Sequence, residues 1–373
     1  MERKLKIGII GTGRIVLTSH LPILNRMSEV EIIAISDVRE ESLKKASKIL
    51  GNICRTFIDY HDVLKIPEIH AVIIATPAYT HKEITLAAFQ AGKHVFCEKP
   101  LALDLKEVNE ILRIQQSSGK LLQVGYVCRY SPLFRKMREI ISEGTIGKIH
   151  MMWVNKFRAA LCSQWTYNPK LSGGAIVEEN CHQTDIFNWM LESLPKRVVA
   201  FGGQNVIQAG KTVRVRAADG GWITVKDSKI VDNAWVIAEY ENNARASIGI
   251  SFFCPHGLYG DHVGVNNAAS LEMGAIGDRG SLMCYGKRNE IHLWSYEYPN
   301  YILYKIRSRP DVPNFGYLGT WEQFEEFVHC VLNNRPTFAD GEVAKLSLLV
   351  PLAAEKSIKE GKIVEVKEIY DQG

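Results

Sequence analysis

The sequence predicts an α/β fold, a doubly wound parallel sheet joined to a C-terminal α+β domain with an open, largely antiparallel sheet. Three observations predict it. Short, uniformly apolar runs alternate with helical stretches through the first third, the pattern of a parallel sheet covered on both faces. A glycine loop joins the first strand to the first helix. After about residue 125 the strands lengthen and follow one another across short turns. A chain of 373 residues exceeds one ordinary core, which gives two domains, 1–125 and 126–373.

Leu5 to Ile10 is the first buried strand. Ile15 to Met27 follows as a helix that Pro22 bends or shortens. Val30 to Ser36 is β-rich and ends at Asp37, and Glu40 to Leu50 is helical with Gly51 as its stop. Ala71–Ala75, Lys93–Cys97 and Leu121–Val124 read as strands, and Thr80–Gln90 and Asp104–Gln116 as helices. Beyond the boundary come a helix at Pro132–Ser142 and strands at Ile149–Phe157, Val198–Phe201, Asn233–Tyr240, Ala244–Phe253, Ala269–Met273, Ser281–Cys284, Glu290–Trp294 and Tyr301–Ile306. Glu241-Asn242-Asn243 fits a hairpin turn because Asn tolerates φ > 0. Gln208 to Val231, rich in Gly, Asp and Lys, reads as an excursion from the sheet. Helices at Thr320–Leu332 and Glu342–Lys359 close the chain, the last expected to pack back on the first domain.

Composition narrows the class. Apolar residues make up 46% and charged residues 23%, and 45 basic against 41 acidic side chains leave a net charge of +4. That charge is too small to imply nucleic acid or a membrane surface as the main partner. No apolar run approaches the ~18 residues a spanning helix needs. The eight cysteines lie nineteen or more positions apart, with no C-x-x-C pair, so no metal site is expected. No signal-peptide pattern precedes the first strand. The thiols are read as reduced and the compartment as cytoplasmic.

Two regions carry chemistry. In Gly11-Thr12-Gly13-Arg14-Ile15, Gly11 permits the tight turn and Gly13 permits close approach of a pyrophosphate to the helix N-terminus. Val16 stands where the third glycine of G-x-G-x-x-G would be, so the loop also fits a plain βα turn. Asp37, ending the second strand, suits the ribose hydroxyls and favours NAD over NADP, with Arg39 the residue that would favour the phosphate. Ala75-Thr76-Pro77 with His81, and Glu98-Lys99-Pro100, follow strand ends where ligands bind in such sheets. His81 also fits a helix N-terminal surface position, and Lys99 a solvated one.

The second region is Ser172 to Asp185. If it is helical from about Glu178, then Glu178, His182 and Asp185 fall at i, i+4 and i+7. A carboxylate beside an imidazole sets its tautomer and raises its basicity, as removal of a hydroxyl proton requires. The same residues also fit a capped helix with His182 satisfied in the core. Trp165 and Tyr167 offer a sugar-stacking wall or plain loop packing. Arg158, Asn180 and Asp185 are candidates for hydrogen bonds to hydroxyls.

Taken together these motifs resemble the Gfo/Idh/MocA family, the glucose-fructose oxidoreductase and inositol dehydrogenase group, over nearly the whole chain. The resemblance runs through Ile10 to Arg14, Ala75-Thr76-Pro77 with His81, Gly92 to Leu101, Arg129 with Pro132, Gly144 to Gly147, the Gly173-Gly174 run to Asp185, and Glu355 to Val366. It implies a Rossmann domain binding NAD through the loop residues, Asp37, Arg39, Ala75 to Pro77, His81, Glu98 and Lys99. It implies Lys99 and His182 as reacting residues, with Glu178 at the acid position and Arg129 among the substrate contacts. Relatives often have Asp where this chain has Glu178, and Gly where it has Asn180. It also implies a homodimer or homotetramer formed through the C-terminal sheet. The expected activity is an NAD(P)-dependent dehydrogenase of a sugar, sugar derivative or cyclitol. The alternatives are an NAD-dependent glycoside-cleaving enzyme using transient oxidation, and a non-catalytic NAD(P)-binding sensor.

Overall fold

The computed structural model describes residues 4–254, 270–298, 300–307 and 319–371. Two compact units form, Met1–Ser131 with Arg309–Lys345, and Pro132–Ser308 with Leu346–Gly373. The single cut at residue 125 drawn from the sequence gives way to three crossings, because residues 309–345 return to the first unit before the chain ends in the second.

In the first unit, β1 (Leu5–Ile10) leads through a π-helical turn, Val16–His20, into α1 (Leu21–Leu24), with Pro22 in its first turn. The single long helix expected from Ile15 is thus two short pieces. Then come β2 (Val30–Ser36), α2 (Glu40–Ile49), β3 (Arg55–Phe57), α3 (Tyr60–Leu64), β4 (Ala71–Ile74), α4 (His81–Gln90), β5 (His94–Cys97), α5 (Leu105–Ser118) and β6 (Leu122–Val124). The sequence reading passes over β3 and α3, which are only three and five residues long. All six strands pair in parallel, in the order β3-β2-β1-β4-β5-β6. The order reverses between β1 and β4, so their C-terminal ends flank the crevice where such sheets bind ligands.

The second unit begins with α6 (Pro132–Ser142), β7 (Ile149–Phe157), α7 (Pro169–Ser172) and α8 (Ala175–Leu191). It continues with β8 (Pro195–Gly203), β9 (Thr212–Arg216), β10 (Trp222–Lys226), β11 (Asn233–Tyr240) and β12 (Arg245–Ser251). β13 (Ser270–Gly277), β14 (Gly280–Tyr285), β15 (Glu290–Ser295) and β16 (Ile302–Lys305) follow. Ala269, the expected start of β13, lies outside the described residues. α9 (Thr320–Asn333) rejoins the first unit, α10 (Gly341–Glu360) spans the division between units, and β17 (Val364–Glu365) and α11 (Val366–Tyr370) end the chain.

Nine strands form one sheet, β16-β15-β14-β13-β7-β12-β11-β8-β17, antiparallel except where β12 meets β7. The excursion at 208–231 holds a separate two-stranded ribbon, β9-β10. Asn243 turns the β11–β12 hairpin at φ +65°, the left-handed conformation that Asn accepts most readily among non-glycine residues. α8 lies against β7 and β12 on one face of the sheet. On strands β8, β11 and β7, Phe201, Trp235, Ile237 and Met151 are exposed. Trp294 on β15 is half-open as well.

α9 completes the first unit. Its Phe324, Phe327 and Val328 join Ile7, Ile9, Ile35, Ile73 and Phe96 in one apolar cluster. Phe324 and Phe327 place their rings 4.8 and 5.8 Å from that of Phe96, and Gln123 donates from Nε2 to the Gln323 carbonyl at 2.8 Å. Replacing a fully buried Phe by Ala typically costs about 3–5 kcal/mol. Phe324→Ala is therefore expected to destabilise the protein by about that much in denaturant unfolding. A loss under about 1 kcal/mol would show that α9 is not part of this core.

Candidate functional site

Within the first unit, the glycine loop is shaped by one close approach. Gly11 adopts φ +87°, and a Cβ there would come within 2.6 Å of the Ala75 carbonyl oxygen. Only glycine accepts both constraints, so β1 and β4 end side by side. Gly13 differs: a Cβ built on it would meet nothing nearer than an Arg39 nitrogen at 3.9 Å. The fold does not need a glycine there, whereas a ligand approaching the backbone does. The residues thus fit a dinucleotide pyrophosphate at this loop.

Asp37 is buried at the end of β2. Its Oδ2 accepts from the Thr12 N–H at 2.8 Å and from the Thr12 hydroxyl at 3.1 Å, and its Oδ1 accepts from the Arg39 N–H at 2.9 Å. The carboxylate therefore pins the glycine loop and retains lone pairs for ribose hydroxyls. Arg39 reaches back with Nε 3.5 Å from Oδ1, its side chain largely in solvent.

Lys99 sits in a turn with two buried histidines beside it. Below it, Glu98 accepts the Lys99 N–H on Oε2 at 3.2 Å and meets His20 Nε2 through Oε1 at 3.1 Å. Burial alone would raise the Glu98 carboxyl. The hydrogen bond from His20, and the charges of His20 and Lys99, outweigh it and hold the group below the usual carboxylate range. His20 arrives there from the π-helical turn, in which the Leu21 N–H reaches back to the Val16 carbonyl. Its ring lies edge-on to Phe324 at 4.9 Å. Gly125 leaves room for the carboxylate, since a Cβ there would meet Glu98 Oε2 at 2.8 Å.

His81 is fully enclosed rather than at the surface. Its Nδ1 lies 2.7 Å from the Pro100 carbonyl and its Nε2 2.9 Å from the Thr76 carbonyl. Burial lowers its pKa against the pull of both carbonyls. A neutral ring donates to only one of them, yet it still ties the Ala75-Thr76-Pro77 loop to the Lys99-Pro100 turn. Arg129 is buried with its guanidinium 5.1 Å from the Phe338 ring centre.

In the second unit, α8 starts at Ala175, a turn earlier than the expected Glu178. Gly173 and Gly174 at φ +76° and +106° turn the chain into it. A Cβ on Gly174 would collide with the Glu355 carboxylate, which accepts the Ile176 N–H at 2.9 Å and so satisfies one donor of the first turn. Burial pushes the Glu355 carboxyl up to about 7. Glu178, Asn180 and Asp185 are all buried on this helix, with His182 partly open at i+4 from Glu178. Asn180 donates to Gln183 at 3.2 Å.

Tyr167 is buried and gives its hydroxyl to the Leu161 carbonyl at 2.9 Å, which is loop packing; Trp165 stays partly open. Arg158 directly follows β7 and pairs with Glu179. His20, Lys156, Glu179 and Glu355 escape the sequence reading. Of these, His20 carried a local signal, as a histidine in a mostly apolar first helix.

The comparisons agree with this architecture. Residues 5–126 match the family described as an oxidoreductase family with an NAD-binding Rossmann fold, and residues 134–283 match the GFO/IDH/MocA C-terminal domain. The protein is a two-domain oxidoreductase acting on CH–OH groups, with an NAD-binding Rossmann domain. It belongs to the GFO/IDH/MocA family. Myo-inositol 2-dehydrogenase of Thermotoga maritima is 29% identical over 371 residues, 98% of this chain and 99% of that protein. An inositol 2-dehydrogenase/D-chiro-inositol 3-dehydrogenase of Lactiplantibacillus plantarum is 33% identical over 188 residues, 50% of this chain and 52% of that one. Among solved structures, a probable dehydrogenase from Thermotoga maritima superposes with a TM-score of 0.76 at 25% identity, covering 98% of this chain and 100% of that one. Levoglucosan dehydrogenase with NADH and levoglucosan has a TM-score of 0.79 at 19% identity, over 98% and 100% of the two chains, which speaks to the fold.

Two outcomes follow from this geometry. Gly13→Val should leave the melting temperature nearly unchanged and abolish NAD binding in a fluorescence titration; retained binding would mean that no pyrophosphate sits on Gly13. The raised Glu355 pKa costs the folded state increasingly as pH rises from about 4.5 to about 7, because the unfolded carboxyl ionises first. The cost approaches about 3 kcal/mol above that window. Glu355→Gln should thus gain stability relative to wild type as pH rises from 5 to 8. A difference independent of pH would place the Glu355 pKa near its ordinary value.

Proposed function

We propose that the protein oxidises a secondary alcohol of a sugar, sugar derivative or cyclitol with NAD. One observation carries this reading. The same chain holds Lys99 on a turn braced by part-buried Glu98, and a buried helix bearing Glu178, His182 and Asp185 at i, i+4 and i+7. The inositol dehydrogenases among its relatives support the substrate class. A cofactor-binding sensor would need neither set of residues.

When bound, NAD supplies the acceptor for the hydride that leaves the alcohol carbon. Gly11 to Ile15 would hold its pyrophosphate at the helix N-terminus, and Asp37 would accept from its adenosine ribose and repel a 2′-phosphate. Ala75 to Pro77 would border it, held in place by His81. His182 would take the hydroxyl proton on a ring nitrogen, with the ring's tautomer set by Glu178 or Asp185. Lys99 would donate from Nζ to the substrate's oxygen and steer its carbon.

His182→Ala and Lys99→Ala should each lose about 10²–10⁴ in turnover, the usual range for a removed general acid or base. NAD affinity should change little. Stopped-flow NADH formation beside NAD titration checks both, and a wild-type rate for His182→Ala across pH 6 to 9 would remove it as the base.

The exposed sheet face supports self-association. Phe201 and Trp235 are cross-strand partners on β8 and β11, with Ile237 farther along β11. A second copy of the chain covering this face would remove an apolar patch from water. Light scattering should give a dimer or tetramer mass, and Trp235→Glu should lower it; a monomeric wild type would discard the pairing.

A further inference from the structure

Glu179 sits one helical turn before His182 on α8 and is paired twice. Lys156 Nζ lies 2.8 Å and Arg158 Nη1 2.6 Å from its Oε2, and Lys156 also donates to the Glu179 carbonyl at 2.9 Å. Lys156 lies near the end of β7 and Arg158 just past it, and both side chains reach Glu179 on α8. Burial disfavours the Arg158 charge, but Glu179 outweighs it and keeps the guanidinium ionised.

Arg158 spends only one end of its fork on Glu179. Among the described residues its hydrogen bonding is through Nη1, while Nε is buried and meets no acceptor. Buried donors are almost always satisfied. The unused Nε–Nη2 edge has the geometry that takes a carboxylate through two parallel hydrogen bonds. The side chain is 18% exposed while Nε itself is buried, so a ligand would reach that edge from its Nη2 end. Glu178 and Asp185 add negative charge farther round α8. Long-range attraction is therefore weak, and recognition rests on the directed fork.

We infer that Arg158, held by Glu179 and seconded by Lys156, binds a carboxylate on the substrate, making the substrate a sugar acid rather than a neutral sugar or cyclitol. This rests on the proposed dehydrogenase reading. Residues 179 and 182 are i, i+3 neighbours, about 5–6 Å apart at Cβ. A substrate whose hydroxyl meets His182 would thus carry its carboxylate on a nearby carbon. Arg158 is a specificity residue here and takes no part in proton transfer.

The test compares D-glucuronate and D-galacturonate with glucose, galactose, myo-inositol and glucose 6-phosphate. NADH formation gives kcat and KM, and quenching of the enzyme–NADH complex gives binding without turnover. At least one uronate should be preferred over its neutral counterpart by about tenfold or more. Arg158→Gln should raise its KM or Kd roughly tenfold to a hundredfold, the worth of a charge-assisted hydrogen bond. Arg158→Lys should not restore the preference. Lys156 still neutralises Glu179 in both variants, and circular dichroism confirms their folding. Neutral polyols oxidised at least as well as the acids, or glucose 6-phosphate preferred, would overturn the carboxylate while leaving the dehydrogenase intact. A uronate bound in an Arg158-dependent way without NADH formation would uphold the site and overturn the dehydrogenase. No uronate binding stronger than that of neutral sugars would overturn the inference outright.

Discussion

A carboxylate buried beneath a lysine is the interaction around which the first unit is arranged. Glu98 needs compensation, because an unpaired charge in the interior costs several kcal/mol. His20 and the Lys99 N–H provide it. Supplying His20 sets the geometry of the helix after the glycine loop, whose π-helical turn ends at that residue. The carboxylate occupies the space that a Cβ at residue 125 would fill. His81 then ties the following proline to the loop after β4. Loops after β1, β4 and β5 are thereby bound into one polar network, and Lys99 inherits its position from all of them.

The second unit solves a related problem differently. Its functional helix begins at two glycines in left-handed or related backbone, and its first turn is satisfied by Glu355 from α10. That carboxylate has a backbone N–H as its partner, without the charge pairing of Glu98. Its pKa therefore rises where that of Glu98 falls. Two part-buried glutamates thus respond oppositely to desolvation, according to whether a cation faces them.

The family explains the plan of the protein but not its substrate. Relatives named for inositol share the architecture at about 30% identity, and such similarity leaves the polar lining of a site free to differ. Lys156, Arg158 and Glu179 form a charged group on β7 and α8 beside the helix turn that bears His182. A neutral polyol needs hydrogen-bonding partners, not a half-used guanidinium.

Local patterns determined much of this protein by themselves. Alternating apolar runs and helices gave the parallel sheet, because strand burial and helix periodicity are short-range signals. Gly11 and Gly13, Asp37, the Glu98-Lys99-Pro100 turn and the spacing of Glu178, His182 and Asp185 were visible for the same reason. Tertiary structure alone decided the rest. α9 covers β1 and β5 from a position two hundred residues downstream of its Gln123 contact, and no local periodicity records which core a helix will join. Glu355 meets Ile176 across 179 residues, and Arg158 meets Glu179 only because β7 runs against α8. These pairings depend on desolvation and on which donors remain unsatisfied once the chain is packed, and neither exists until distant segments exclude water from one another.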